Sequence, residues 1–95
     1  MVVGTLKLYM YIHNAQSLKE KRKIVKSIVS KVQKRFNVSI AEVGSNDKWQ
    51  MVELGISAVG NDRRFVNSVL DNILSYSDSL YLGEIIDSAI EIFNV

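Results

Sequence analysis

The sequence contains no cysteine and no proline, one histidine, one tryptophan and five glycines in 95 residues. Each scarcity excludes something. Without cysteine there is no disulfide framework, no thiolate zinc site and no cysteine nucleophile. Without proline there is no proline-rich linker, and no low-complexity stretch or repeat divides the chain. The longest apolar run near the start, Leu8 to Ile12, is far shorter than the roughly 20 residues of a membrane span. The first residues also lack the charged, apolar and small-residue zones of a signal peptide, so a cytoplasmic protein is expected. Disorder is excluded as well, because 47% of residues are hydrophobic and 23% charged, ordinary globular values. The length predicts one domain over residues 1–95.

What is present has clear periodicity. Residues 2–13 alternate, with Val2, Gly4, Leu6, Leu8, Met10 and Ile12 on one face and Val3, Thr5, Lys7, Tyr9, Tyr11 and His13 on the other. That period of two predicts a long strand whose first face meets the core. Ser17 and Glu20 match the S-x-x-E capping box, and Leu18, Val25, Ile28, Val29, Val32 and Phe36 follow at helical spacing. Asn37 is expected to end this helix in a left-handed conformation. Val38 to Val43 predict a second strand of ambiguous inward register. Gly44 to Lys48 form a turn cluster, and a third strand then places Val52, Leu54, Ile56 and Ala58 inward, with Trp49 and Met51 on its other face. Asn61 or Asp62 caps a second helix carrying Phe65, Val66, Val69, Leu70, Ile73 and Leu74, which Ser77 to Ser79 break. A last strand within 81–93 sets Ile86, Ser88, Ile90 and Ile92 opposite Ile85, Asp87, Ala89, Glu91 and Phe93.

The order strand–helix–strand–strand–helix–strand predicts an α+β, ferredoxin-like βαββαβ domain. Right-handed crossovers place both helices on one face of a four-stranded antiparallel sheet, with the first and third strands central.

Charge is segregated within this frame. Residues 18–36 hold eight basic groups and one acid, while the rest of the chain holds four basic and nine acidic, so a local +7 faces a −5. Such asymmetry points to an anionic partner. Lys19, Lys23, Lys26, Lys31 and Lys34 fall opposite the apolar stripe, where several mobile cations in a line can displace counterions from a nucleic-acid backbone. A plain solvent face would mix signs and form acid–base pairs four residues apart. Lys21 and Arg22 turn toward the stripe's edges. They either cover the core with their aliphatic stems or bind an anion near Asn14 to Gln16.

The sheet face without helices carries Tyr9, Tyr11, Trp49 and Met51. Aromatics on central strands of this topology can stack bases, yet Glu53, Asp87 and Glu91 share the face and repel phosphate. Association with a second copy, sheet on sheet, is the simpler expectation for that surface. Catalysis is not expected. His13 has no placed serine or carboxylate to form a triad, and one histidine with scattered acids has no metal-ligand spacing. Accordingly no cofactor, metal or small-molecule substrate is expected.

The strings Ala15-Gln16-Ser17-Leu18-Lys19-Glu20-Lys21-Arg22, Arg35 to Val43, and Asp47-Lys48-Trp49-Gln50 resemble the YlxP-like family of small bacterial proteins. The resemblance implies a ferredoxin-like fold and leaves function open, since the family is one of unknown function. Its genes tend to lie among those for transcription and translation factors, near initiation factor two and ribosome-binding factor A, which implies a role connected with ribosomes or RNA. By the same resemblance Ser17, Lys19, Lys21, Arg22, Trp49 and Gln50 are the positions of interest. Met51 departs from the family, which often has a basic residue after the Trp-Gln pair. The expectation is a non-enzymatic module that docks on RNA or a ribosomal particle through Lys19, Lys21, Arg22, Lys23, Lys26, Lys31 and Lys34. The alternative is a homodimer that associates through Tyr9, Tyr11, Trp49 and Met51 without binding nucleic acid.

Overall fold

A computed structural model describes all 95 residues, Met1–Val95. Its elements are β1 (Val2–Tyr11), α1 (Leu18–Arg35), β2 (Ser39–Gly44), β3 (Met51–Gly60), α2 (Arg63–Ser79) and β4 (Glu84–Asn94). The strands form one sheet in the order β2-β3-β1-β4, every neighbouring pair antiparallel. This is the ferredoxin-like arrangement, with β3 and β1 central.

The alternation in β1 and β3 sets the layers. Val2, Leu6, Leu8 and Met10 are buried, as are Val52, Leu54, Ile56 and Ala58, while their neighbours are not. The register pairs Leu8 with Leu54 and Leu6 with Ile56, so the two buried rows lie side by side. Both helices cover that face. In α1 the buried positions are Lys21, Val25, Ile28 and Val32, and in α2 they are Val66, Leu70, Ile73 and Ser77. Each fully buried leucine or isoleucine contributes about 1.5–3 kcal/mol relative to exposure. Gly4 lets α2 sit directly on β1, since a Cβ there would collide with Val66 Cγ1 and lie 2.8 Å from Leu70 Cδ1.

Side chains start both helices. Ser17 is extended, and its Oγ accepts from the Glu20 amide at 3.1 Å. The reciprocal half of the capping box is shifted by one residue, because the Glu20 carboxylate accepts from the Gln16 amide at 2.6 Å rather than from that of Ser17. Asp62 caps α2 by accepting from the Arg64 amide at 3.0 Å. Such caps are worth about 1 kcal/mol each.

Four expectations need correction. Asn37 is not left-handed; only Ser45 and Tyr81 have positive φ. The chain leaves the helix at Phe36 in an extended conformation, and the Phe36 ring packs edge-on against Tyr76 with centroids 5.8 Å apart. Helix α2 is not broken by its serines but runs to Ser79, with Ser77 buried. Phe65 lies outside the buried stripe and is 59% exposed. Strand β4 changes parity at a bulge. Asp87 pairs with Tyr9, but Ile85 rather than Ile86 pairs with Met10. Ile85 therefore packs on the core and Ile86 is exposed. One unpaired residue reverses every inward assignment beyond it.

Strand β2 also has a bulge, between Glu42 and Gly44. Ile40 and Glu42 lie on the helix side with Ile56 and Leu54, and Ala41 lies on the open face opposite Gly55. That resolves its ambiguous register and places a carboxylate beneath α1.

Candidate nucleic-acid interface

Helix α1 is cationic on its solvent side for its whole length. Lys19, Arg22, Lys23, Lys26, Lys31, Lys34 and Arg35 are all exposed. At about 100° per residue, Lys19, Lys23, Lys26 and Lys34 project within an arc of roughly 80°, and they span about 22 Å along the axis. Lys31 falls outside that arc, and its ammonium donates to Ser27 Oγ at 3.3 Å. The helix's one acid, Glu20, is engaged by the Gln16 amide. The chain has two ion pairs, His13 with Glu84 and Lys21 with Glu42, and neither uses an exposed base of α1. Seven exposed cations thus stand without an acidic partner.

Lys21 does not belong to that set, against expectation. It is 1% exposed and reaches inward from the first turn of α1. Its ammonium donates to the Ser45 carbonyl at 2.5 Å and lies 2.8 Å from Glu42 Oε2. That carboxylate oxygen is buried and has no hydrogen bond of good geometry, so its contact with Lys21 is one of charge. Ser45, left-handed at φ 56°, in turn donates through Oγ to Glu53 Oε2 at 2.7 Å. The lysine thus ties α1 to the β2–β3 turn. A cation enclosed in this way cannot reach a phosphate. Arg22, one residue on, is exposed.

The open sheet face is organised differently. Tyr9, Tyr11 and Met51 lie on it half-buried, with Tyr11 paired across to Met51. The Tyr11 hydroxyl donates to Gln50 Oε1 at 3.0 Å, and its ring meets His13 edge-on at 4.6 Å. Trp49, expected on the third strand, instead precedes β3 in a bend and is 47% exposed. Between the strands runs an open groove of about 540 Å³ bordered by Lys7, Tyr9, Val43, Gly55, Ala89 and Glu91. Lys7 lies 5.9 Å from the Tyr9 ring centroid and forms no ion pair, despite the acids on neighbouring strands.

A third feature was not legible in the sequence. Where α1 ends beside the start of α2, Arg35, Phe36, Asn37, Val59, Phe65 and Val69 wall a cleft of about 240 Å³. Arg35 also covers Tyr76, with its guanidinium carbon 4.5 Å from the ring centroid. No three histidine, aspartate or glutamate side chains converge as a metal site would require. No helix is long and apolar enough to cross a membrane.

The family described as "Protein of unknown function (DUF503)" matches residues 3–90. The chain belongs to the DUF503 family. A curated relative, "Uncharacterized protein YlxP" of Bacillus subtilis (strain 168), is 41% identical over 78 residues, covering 82% of this chain and 85% of the relative. The resemblance to YlxP-like proteins read from the first half of the sequence is thereby shown. No enzymatic activity accompanies the DUF503 description. Among solved structures, SnoaB, a cofactor-independent oxygenase from Streptomyces nogalater, is similar with a TM-score of 0.54 and 13% identity, over 98% of this chain and 92% of that one. A de novo designed protein with a ferredoxin fold has a TM-score of 0.52 and 18% identity, over 98% and 83%. Likeness at such identities shows the fold alone, so the oxygenase activity stays with SnoaB.

Proposed function

We propose that this DUF503 protein is a non-enzymatic module that docks on the phosphate backbone of RNA, as displayed by a ribosomal particle, through the outer face of α1. The observation that carries the reading is the row Lys19, Lys23, Lys26 and Lys34, exposed and without ion pairs. Lys19 stands in the first turn, where the helix dipole disfavours a cation, so helix stability does not account for it. Lys34 and Arg35 suit the last turn structurally and supply the far end of the row. Arg22 flanks it. Binding of this kind follows charge and spacing rather than sequence.

The test is binding to labelled ribosomal RNA and to intact small subunits across a salt series. Five engaged cations correspond to a log–log slope of roughly −3.5 to −4.5. A docking site on the particle gives tighter binding to subunits than to naked RNA. Absence of binding to either at low salt refutes the reading.

The open sheet face supports a second reading, association of two copies. Lys7 is unpaired between strands that carry Glu53 and Glu91, and a twofold-related copy would bring acids to it over the groove floored by Gly55. Sedimentation of the protein and of a Tyr9→Ser, Tyr11→Ser variant tests this independently. A monomer at all concentrations rejects it.

A further inference from the structure

The row of cations on α1 ends at the cleft between the end of α1 and the start of α2, and two residues that line it, Asn37 and Phe65, are exposed. Asn37 lines the cleft, is exposed, forms no side-chain hydrogen bond and does not serve as a left-handed cap. Phe65 presents its ring to the same cleft while 59% exposed, and burial would favour it elsewhere on α2. With Phe36 and Val59 they make a partly enclosed apolar slot carrying one free amide and no acid, bordered by Arg35, whose guanidinium lies over Tyr76.

We infer that this slot receives an unpaired nucleobase from the RNA strand whose phosphates lie along α1. The inference rests on the phosphate-docking reading above and extends it from a backbone contact to a preference for single-stranded nucleotides. Size permits it: a cleft of about 240 Å³ leaves room for one flat pyrimidine ring. Chemistry fits as well, since an aromatic ring gives a stacking surface and an amide addresses a base edge, beside the exposed Lys34 at the end of the cation row. A paired base in a duplex is held in its stack and has no access. The arrangement lies on the helix side of the sheet, so it is independent of the tyrosines of the open face.

The test compares a labelled twelve-nucleotide oligouridylate with a duplex RNA of the same length, at several salt concentrations. The protein is expected to bind the single strand more tightly. Phe65→Ala should lower single-strand affinity roughly 5- to 150-fold, the loss of one stacked base, with duplex affinity and salt slope unchanged. Phe65→Tyr should retain the affinity, which separates stacking from damage to the fold. Equal affinities for the two RNAs, or a Phe65→Ala protein indistinguishable from the unaltered one, would overturn the slot while leaving phosphate docking intact. Loss of all RNA binding by the unaltered protein would overturn both. Preference of the cleft for an acidic, leucine-anchored peptide over the oligonucleotide would overturn the slot in favour of a protein partner.

Discussion

The two helices are built on one burial template and finished in opposite ways. The buried positions of α1 are 21, 25, 28 and 32, and those of α2 are 66, 70, 73 and 77, the same spacing in each. Both helices cover the same sheet face, and each buries one polar residue at an end of its stripe. Yet the exposed residues of α1 include seven bases and one acid, whereas those of α2 include Arg63, Arg64, Asp71 and Asp78 among asparagines and serines. Helix α2 therefore serves as an internal control. It shows that a helix in this fold needs the buried stripe and a polar exterior, not a cationic one. The lysines of α1 exceed what packing requires, and that excess is where function is to be sought.

The largest effect is expected at the buried end of α1. Lys21→Ala leaves Glu42 without its cation and the Ser45 carbonyl without its donor, and should cost about 3 kcal/mol in urea unfolding. Pairing Lys21→Met with Glu42→Leu should recover most of that loss, because an apolar pair can replace a buried ion pair. Next comes the outer row. Changing Lys19, Lys23, Lys26 and Lys34 together to glutamate should weaken RNA binding roughly a hundredfold or more and flatten the salt slope by about 3. The unfolding midpoint should stay near its original value, and a collapse of the fold instead would show that the lysines are structural after all.

A smaller effect of opposite sign is expected at the buried end of α2. Ser77 Oγ is buried with no hydrogen-bond partner, so Ser77→Ala should stabilise the protein by about 1 kcal/mol in the same unfolding experiment. A loss there would mean the hydroxyl is satisfied in solution. Smallest of all, Lys23→Gln and Asn67→Lys should each change stability by less than about 0.5 kcal/mol, since both positions are exposed and away from the core.

Much of this was readable in advance, for a specific reason. The inward rows of β1 and β3 show a period of two uninterrupted from end to end, so their layer assignment followed directly. The bulges did not declare themselves. In Ile85-Ile86 the two side chains are identical, and only pairing with Met10 decides which one turns inward. Lys21 stood at the edge of the apolar stripe on the wheel, but its partners Glu42 and Ser45 are more than twenty residues away in sequence. Residue type suggested the surface, and tertiary structure placed it inside. The cleft at Phe65 was hidden because helical spacing assigned that ring to the core, whereas it stands in the first turn of α2, over Gly60 and 59% exposed. The lysine row, by contrast, was visible because solvent-facing positions need no partner to be recognised.

The pairing of β1 with β4 has a consequence for how the protein is made. Val2 meets Asn94 and Tyr11 meets Glu84, so the first strand to emerge during synthesis completes its hydrogen bonds with the last. At about 5–20 residues per second, the nascent chain carries a central strand with an open edge for several seconds or more. During that interval α1 and the β2–β3 hairpin are already available, and β1 can pair with β3 before α2 is complete. The last pairing to become possible is thus the one that closes the sheet, β4 against the free edge of β1.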